Sequence, residues 1–82
     1  MEMWQGFHHD GDIPVIITVE YDEAENEYVV EVVRGLISGV KTFEPKCDPE
    51  EGHMHISDVE TSVKLANVIL KNLKQKARRK KK

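Results

Sequence analysis

Two runs of apolar residues constrain the fold of this chain more than any other feature. Between Ile13 and Tyr21 every second residue is apolar, and a second run rich in β-formers extends from Tyr28 to Val33. Alternation with a period of two is typical of a strand that is buried on one face. The intervening residues 22–27 are polar and poor in β-formers, so they predict the loop of a β-hairpin.

A third strand and one helix are predicted downstream. The segment from Leu36 to Phe43 follows Gly35 and indicates a strand, whereas residues 44–52 contain two prolines and a glycine and indicate an irregular loop. Ser57 and Glu60 fit a capping box, which places the helix start at Ser57. The apolar residues beyond it recur at helical spacing and define one face: Val59, Val63, Ala66, Leu70 and Leu73.

These elements predict an α+β fold, with a three-stranded antiparallel sheet followed by one C-terminal amphipathic helix packed on one face. Residues 1–76 form a single small domain in this interpretation. Residues 1–12 are either loosely ordered or packed on it through Trp4 and Phe7. Residues 77–82 are predicted to be a disordered basic tail, because they lack an apolar face and repel one another.

The small size of the chain bears on its partners and its compartment. With 82 residues and a single cysteine, Cys47, the chain has no internal disulfide, so a homodimer or a metal are possible additional sources of stability. The N-terminus does not have the pattern of a signal peptide, and the longest aliphatic run, from Val15 to Ile17, is too short to cross a bilayer. We therefore predict a cytoplasmic protein without membrane attachment.

Charge is distributed very unevenly along the sequence. Residues 1–62 hold fifteen acids and three bases, a charge of −12, and residues 63–82 hold nine bases and no acid, a charge of +9. The acids around the hairpin predict a surface that binds a protein partner: Glu20, Asp22, Glu23, Glu25 and Glu27. Such a cluster is also common as a solvated loop that discourages aggregation of sheet edges.

The basic end offers an alternative function, association with nucleic acid. Its candidate residues are Lys71, Lys74, Arg78, Arg79, Lys80, Lys81 and Lys82. Such side chains bind phosphates without reading sequence, and Lys64, Lys71 and Arg78 would line one side of the helix if it continued that far. The other interpretation of this segment is a solubilising terminus that offsets the acidic body.

Histidine and cysteine side chains suggest a second alternative, a small metal-binding domain. The candidate ligands are His8, His9, Cys47, His53 and His55, although they lack the paired spacing of a zinc motif. Exposed loop histidines explain the same residues without a metal. We predict no catalytic residues and no cofactor, because the acids beside Cys47 disfavour its thiolate and a chain of this size encloses little of a pocket.

The order of elements resembles one known family. A strand, an acidic turn, the segment EYVVEVVRGLISG and a helix that opens with SDVETSVKLANVIL are similar to the HicB-type antitoxin domain. That resemblance implies a strand-strand-strand-helix module that binds a small toxin. It covers residues 13–73, and the family's proline-glycine-cysteine segment is absent from residues 36–40. Our leading hypothesis is a non-catalytic interaction or regulatory module that binds a protein through its acidic surface.

Overall fold

A computed structural model describes residues 1–49 and 53–79, and only the backbone of residues 78 and 79. The chain forms four strands, β1 (Glu2–Asp10), β2 (Ile13–Asp22), β3 (Glu27–Arg34) and β4 (Ile37–Phe43), followed by the helix α1 (Ile56–Arg79). The strands make one antiparallel sheet in the order β1-β2-β3-β4. The α+β class with a single C-terminal helix is confirmed. The prediction of three strands is wrong, since the sheet has four.

The unpredicted strand is β1, in the segment that the sequence left open. It pairs with β2 from Asp10 opposite Ile13 to Trp4 opposite Val19, and the register shifts between Glu2 and Trp4. The consecutive residues Met3 and Trp4 both pack against the core. In a regular strand they would face opposite sides, so the irregularity removes the alternation by which a strand is recognised.

Tight turns connect the strands into a simple meander. The β1–β2 and β3–β4 turns each contain two residues and begin with a glycine, Gly11 and Gly35, at φ values of 64° and 63°. A glycine with positive φ at the first central position is the pattern of a II′ hairpin, whose twist matches that of the flanking strands. The β2–β3 loop ends in Asn26 at a φ of 52°, where the sequence predicted a hairpin loop.

The helix lies across one side of the sheet, called here the inner face, and contacts β3 and β4. Its closest approach is at Gly39, where an added Cβ would lie 2.7 Å from Cγ2 of Ile69. Trp4 donates a hydrogen bond from Nε1 to Oγ of Ser62 at 3.1 Å, which ties β1 to the helix. The core combines residues of β2, β3 and α1: Val15, Ile17, Val19, Tyr28, Val30, Val32, Ala66, Ile69 and Leu73.

The helix begins one residue earlier than predicted. The His55 carbonyl accepts hydrogen bonds from the amides of Asp58 and Val59, so His55 is the N-cap and Ile56 is the first helical residue. The Ser57 hydroxyl lies 2.8 Å from Nδ1 of His55, and the Ser57 amide donates to the same nitrogen at 3.2 Å. The histidine therefore caps the helix in place of the expected serine.

The buried stripe of the helix also differs from the predicted apolar face. Val63 is 43% exposed, whereas Ile69, which was not assigned to the core, is 3% exposed. The stripe begins with two fully buried polar residues, Asp58 and Ser62, and continues through Ala66, Ile69 and Leu73. Apolar periodicity alone does not indicate buried polar residues such as Asp58 and Ser62. The predicted helix face is therefore rotated relative to the buried one.

The helix continues to Arg79, so the proposed boundary between domain and tail at Lys76 falls inside a regular helix. The remainder of the predicted tail, Lys80, Lys81 and Lys82, lies outside the described residues. Over the part of the chain that is described, no helix is long and apolar enough to cross a membrane.

Candidate interaction surfaces

The side of the sheet away from α1, called here the open face, carries a row of apolar side chains. Strand register places Phe7 beside Ile16 and Ile16 beside Val33. Phe7 is 68% exposed, and Val40 on β4, at the other edge of the sheet, is 54% exposed. Ile16 and Val33 are half-buried. A contiguous apolar patch of this kind on a sheet is typical of a surface that binds another molecule.

Every charged strand residue on the open face is acidic. Side chains alternate across the pleat, so Glu20, Glu27 and Glu31 fall on the open face together with the apolar row. The two basic residues of the strands, Arg34 and Lys41, pair with inner-face neighbours and belong to the opposite side. The open face therefore combines an apolar row with uniformly negative charge.

The acidic hairpin, defined as residues 20–27, is held by its own side chains. Oδ1 of Asp22 accepts hydrogen bonds from the amides of Ala24 at 3.1 Å and Glu25 at 3.3 Å. The Tyr21 hydroxyl donates to Oδ1 of Asn26 at 2.6 Å, which braces the loop from the other side. Of the five predicted site residues, Asp22 therefore shapes the loop, Glu20, Glu23 and Glu25 are exposed, and Glu27 is half-buried.

None of the hairpin carboxylates has an ion-pair partner among residues 1–49 and 53–77. The two ion pairs found there both involve Asp10, whose Oδ2 lies 3.0 Å from Nε of Arg34 and 3.5 Å from Nζ of Lys74. The hydrogen bond from Arg34 is the main cause of a lowered pKa at Asp10. Arg34 and Lys74 are thus paired at the end of the sheet opposite the hairpin.

The predicted nucleic-acid residues lie towards the C-terminal end of α1. Lys71 is exposed, whereas Lys74 is half-buried and paired with Asp10. Because the helix continues to Arg79, positions 64, 71 and 78 do lie on one side of it, as the spacing suggested. The side chains of Arg78 and Arg79 and the whole of residues 80–82 lie outside the described part.

The predicted metal ligands separate into two groups. His8 and His9 lie on β1 near the β1–β2 turn, opposite Val15 and Pro14. Cys47, His53 and His55 line one cleft of about 290 Å³ together with Asp48 and Met54, near the start of the helix. Within the described ranges no three histidine, cysteine or acidic side chains are arranged to hold a metal ion. The metal prediction gains no support from this geometry.

Polar groups beside that cleft are used to fasten the loop before the helix. The carboxylate of Asp58 is fully buried and accepts hydrogen bonds from the amides of Lys46 at 3.0 Å and Cys47 at 3.4 Å. Tyr28 packs between the rings of Tyr21 and Phe43, at centroid distances of 5.4 and 5.2 Å. Burial, followed by the nearby charge of Asp58, raises the pKa of Tyr28.

The apolar row of the open face was not identified from the sequence. Ile16 was not assigned to a face because it interrupts the alternation of β2, and Phe7 lies in the strand that was not predicted. The signal was nevertheless present, since Phe7, Ile16 and Val33 become neighbours once the two-residue turn at Gly11 fixes the register.

Comparison with protein-family models, with curated protein sequences and with solved structures finds no match to this chain. The fold and its surfaces define a small two-layer α+β domain, in which a helix covers one face of an antiparallel meander and the other face is apolar and acidic.

Proposed function

We propose that this protein is a non-catalytic interaction module that binds a protein partner through its open face and acidic hairpin. The observation that supports this most directly is the composition of the open face, which has an exposed apolar row, several carboxylates and no base. Apolar side chains provide affinity on desolvation, and uniform charge selects partners and speeds their encounter. The lone thiol is compatible with a cytoplasmic setting for this interaction.

The proposed partner is complementary to this surface. A complementary segment carries lysine or arginine side chains that reach the hairpin, and apolar side chains that cover Phe7 and Ile16. The resemblance to the HicB-type antitoxin domain supports the same class of function, since it implies a small toxin as the protein bound. A homodimer through the open face is less favourable, because it would bring two acidic surfaces together.

The test is affinity capture from the native lysate by three immobilised proteins at low and moderate salt. The first is the wild-type chain. The second is a variant of the open face, Phe7→Ser with Glu20→Gln and Glu31→Gln. The third is a matched control in which Glu44→Gln and Glu60→Gln remove the same charge from exposed positions away from that face.

We expect the wild-type and control proteins to retain the same basic protein, and the open-face variant to lose it. Purified partner should then bind with an affinity that falls as salt is raised, because exposed ion pairs are screened. Retention of the same protein by all three baits, or of no specific protein by any of them, would refute the proposal.

A second candidate function, binding of nucleic acid by α1, is favoured by one observation. The helix continues without interruption to Arg79, so exposed lysines such as Lys64 and Lys71 share a side with position 78. About six phosphate contacts would give a log-log salt slope of about −5 on duplex DNA. The test is a salt titration of duplex DNA and duplex RNA with the whole chain.

The matched variants for that titration are Lys64→Gln with Lys71→Gln on the helix, and Lys46→Gln in the loop before it. The second candidate predicts a shallower slope for the helix variant and an unchanged slope for the loop variant, since each lost contact reduces the slope by about one. An absence of binding at low salt would eliminate this function and leave the open face as the binding surface.

A further inference from the structure

The edge strand β4 has backbone groups that the sheet does not use. It is the last strand in the order β1-β2-β3-β4, so only β3 pairs with it. Arg34 and Ile37 close a two-residue hairpin, and such a pair exchanges both of its backbone hydrogen bonds. By alternation, Ser38, Val40 and Thr42 turn their N–H and C=O groups away from β3. These three residues present a row of donors and acceptors at the edge.

A groove runs beside this edge, between β4 and the C-terminal half of α1. It has a volume of about 340 Å³, and Gly39 with Leu73 contributes to its apolar part. Its polar lining comes from Lys41 on the strand and from Asn72, Gln75 and Lys76 on the helix. Both lysines are exposed, and no acidic residue lines the groove.

We propose that this groove binds an extended, acidic segment of another protein, which adds to the sheet as a fifth strand beside β4. Peptide recognition by strand addition takes affinity from main-chain hydrogen bonds and specificity from alternate side chains. The alternate side chains of the added strand that face α1 would lie near Lys41 and Lys76. Carboxylates at those positions complement both lysines and reach the amides of Asn72 and Gln75.

The charge of the groove argues for a foreign acidic segment and against a second copy of this chain. Pairing of β4 with β4 of another copy would bring like charges together, and an edge lysine is a common device against such self-pairing. The basic and amide lining of the groove lies on the opposite side of the sheet from Phe7 and Glu31, while Ser38 and Val40 of the open face line its edge. It is therefore a second surface, which adjoins the open face at β4 and attracts the opposite charge.

The experiment uses a fluorescent synthetic peptide of seven residues, the length of β4, with glutamate and valine alternating. A matched peptide replaces every glutamate with lysine, and a third is the glutamate peptide methylated at alternate backbone nitrogens. Binding to the whole chain is measured by fluorescence anisotropy at low salt. Three variants are compared with the wild type: Lys41→Glu with Lys76→Glu, Lys64→Glu as a control outside the groove, and Val40→Pro.

We expect the wild-type chain to bind the glutamate peptide and neither of the other two peptides. Reversal of Lys41 and Lys76 should weaken that binding about threefold to tenfold and create affinity for the lysine peptide, whereas Lys64→Glu should leave it unchanged. Val40→Pro removes an edge N–H without breaking the ladder to β3, so it should abolish binding while circular dichroism shows the fold retained. If that variant does not fold, the methylated peptide makes the same test from the ligand side.

Three results would overturn the proposal. The first is an absence of binding by the glutamate peptide. The second is a loss of binding in the Lys64→Glu control as large as that in the Lys41→Glu, Lys76→Glu variant, which would show that net charge and not the groove determines binding. The third is a concentration-dependent dimer that disappears in Val40→Pro, which would show that a second copy occupies the edge. Because the open-face variant keeps Lys41, Lys76 and β4 intact, it should bind the peptide normally, so the two proposals fail separately.

Discussion

At the scale of single residues, the buried hydroxyl of Tyr28 lacks a hydrogen-bond partner. Among residues 1–49 and 53–77 it is the one buried side-chain polar atom without a hydrogen-bond partner. A buried hydroxyl that has lost its water and gained no partner lowers stability. The ring itself is well placed between Tyr21 and Phe43, so the cost arises from the oxygen alone.

We therefore predict that Tyr28→Phe raises the free energy of unfolding by about 1 kcal/mol, measured by urea denaturation at neutral pH. The pKa of Tyr28 is raised above the ordinary 10.0 in the folded protein, so the unfolded chain releases this proton first and the stability of the protein falls as pH rises above that value. The wild-type protein should lose stability on alkaline titration more steeply than the variant.

Tyr21→Phe is the control, because it removes a hydroxyl that is hydrogen-bonded to Asn26, and it should be neutral or destabilising. Destabilisation by Tyr28→Phe would contradict the prediction.

The ion pairs of Asp10 predict a response to acid. The pKa of Asp10 lies below its ordinary 3.8, so its contribution to stability is complete above about pH 4 and is lost as pH falls through the lowered value. Asp10→Asn should lower the melting temperature at neutral pH, and the difference from wild type should close in strong acid. A difference that stays constant from pH 7 to pH 2 would show that the carboxylate charge plays no part.

At the scale of elements, the contact between α1 and β4 depends on the absence of a side chain at Gly39. A methyl group there would lie 2.7 Å from Cγ2 of Ile69, a β-branched side chain that is fixed in the core. We predict that Gly39→Ala destabilises the protein by about 1 to 3 kcal/mol, measured by chemical denaturation.

The matched control for this contact is Gly6→Ala on β1, because a Cβ at that glycine would meet Trp4 at 3.4 Å, near ordinary contact distance. Gly6→Ala should lower the free energy of unfolding clearly less than Gly39→Ala does. Partial recovery of stability in the double variant Gly39→Ala with Ile69→Val would identify the clash as the cause. If the two alanine substitutions lower the free energy of unfolding equally, the cause is the replacement of a strand glycine and not the clash with Ile69.

The sequence predicted the elements whose patterns are regular and missed those whose patterns are broken. Strand β2 has an apolar residue at every second position and β3 is a run of β-formers, so both strands and the hairpin between them were found. In β1 the adjacent residues Met3 and Trp4 both pack inward, which no period of two describes. The helix was found, but its buried stripe includes Asp58 and Ser62, whose roles depend on the amide of Lys46 and on the indole of Trp4. Such partners are distant in sequence and are not predictable from one segment.

Among the candidate surfaces, those built from residues close in sequence were predicted and those built from several elements were not. The acidic hairpin was predicted because its acids lie close together in the sequence, and the structure places them on the ends of β2 and β3 and on the turn between them. The apolar row of Phe7, Ile16 and Val33 comes from three strands, and the groove at Lys41 and Lys76 comes from a strand and a helix. These surfaces depend on register and on the position of the helix, which composition and spacing do not supply.

At the scale of the whole molecule, charge is separated along the long axis of a body that measures 45 × 20 × 20 Å. The acidic hairpin and the start of α1 lie at one end, because Asp58 contacts the loop that follows β4. The last turns of α1 lie at the other end, where Lys74 reaches Asp10. The exposed acids of the hairpin and the lysines of the last described turns of α1 therefore lie toward opposite ends of the body, and the net charge of −3 does not express this separation.

We predict that the separated charges make copies attract head to tail at low ionic strength. The second virial coefficient from static light scattering should be lower at about 10 mM salt than at about 150 mM, because the Debye length falls from about 30 Å to about 8 Å over that range. A protein governed by its net charge alone would show the opposite trend. Lys71→Glu, which adds negative charge at the basic end, should weaken the attraction despite the low salt.

The order in which the strands pair has a consequence for synthesis of the chain. Each strand pairs with the one made just before it, so the whole sheet from Glu2 to Phe43 can assemble before the helix has left the ribosome. Until α1 is added, Val15, Val30 and Val32 have no cover. The helix then shields this nascent surface, and the hydrogen bond from Trp4 to Ser62, 58 residues apart, joins the first strand to the helix.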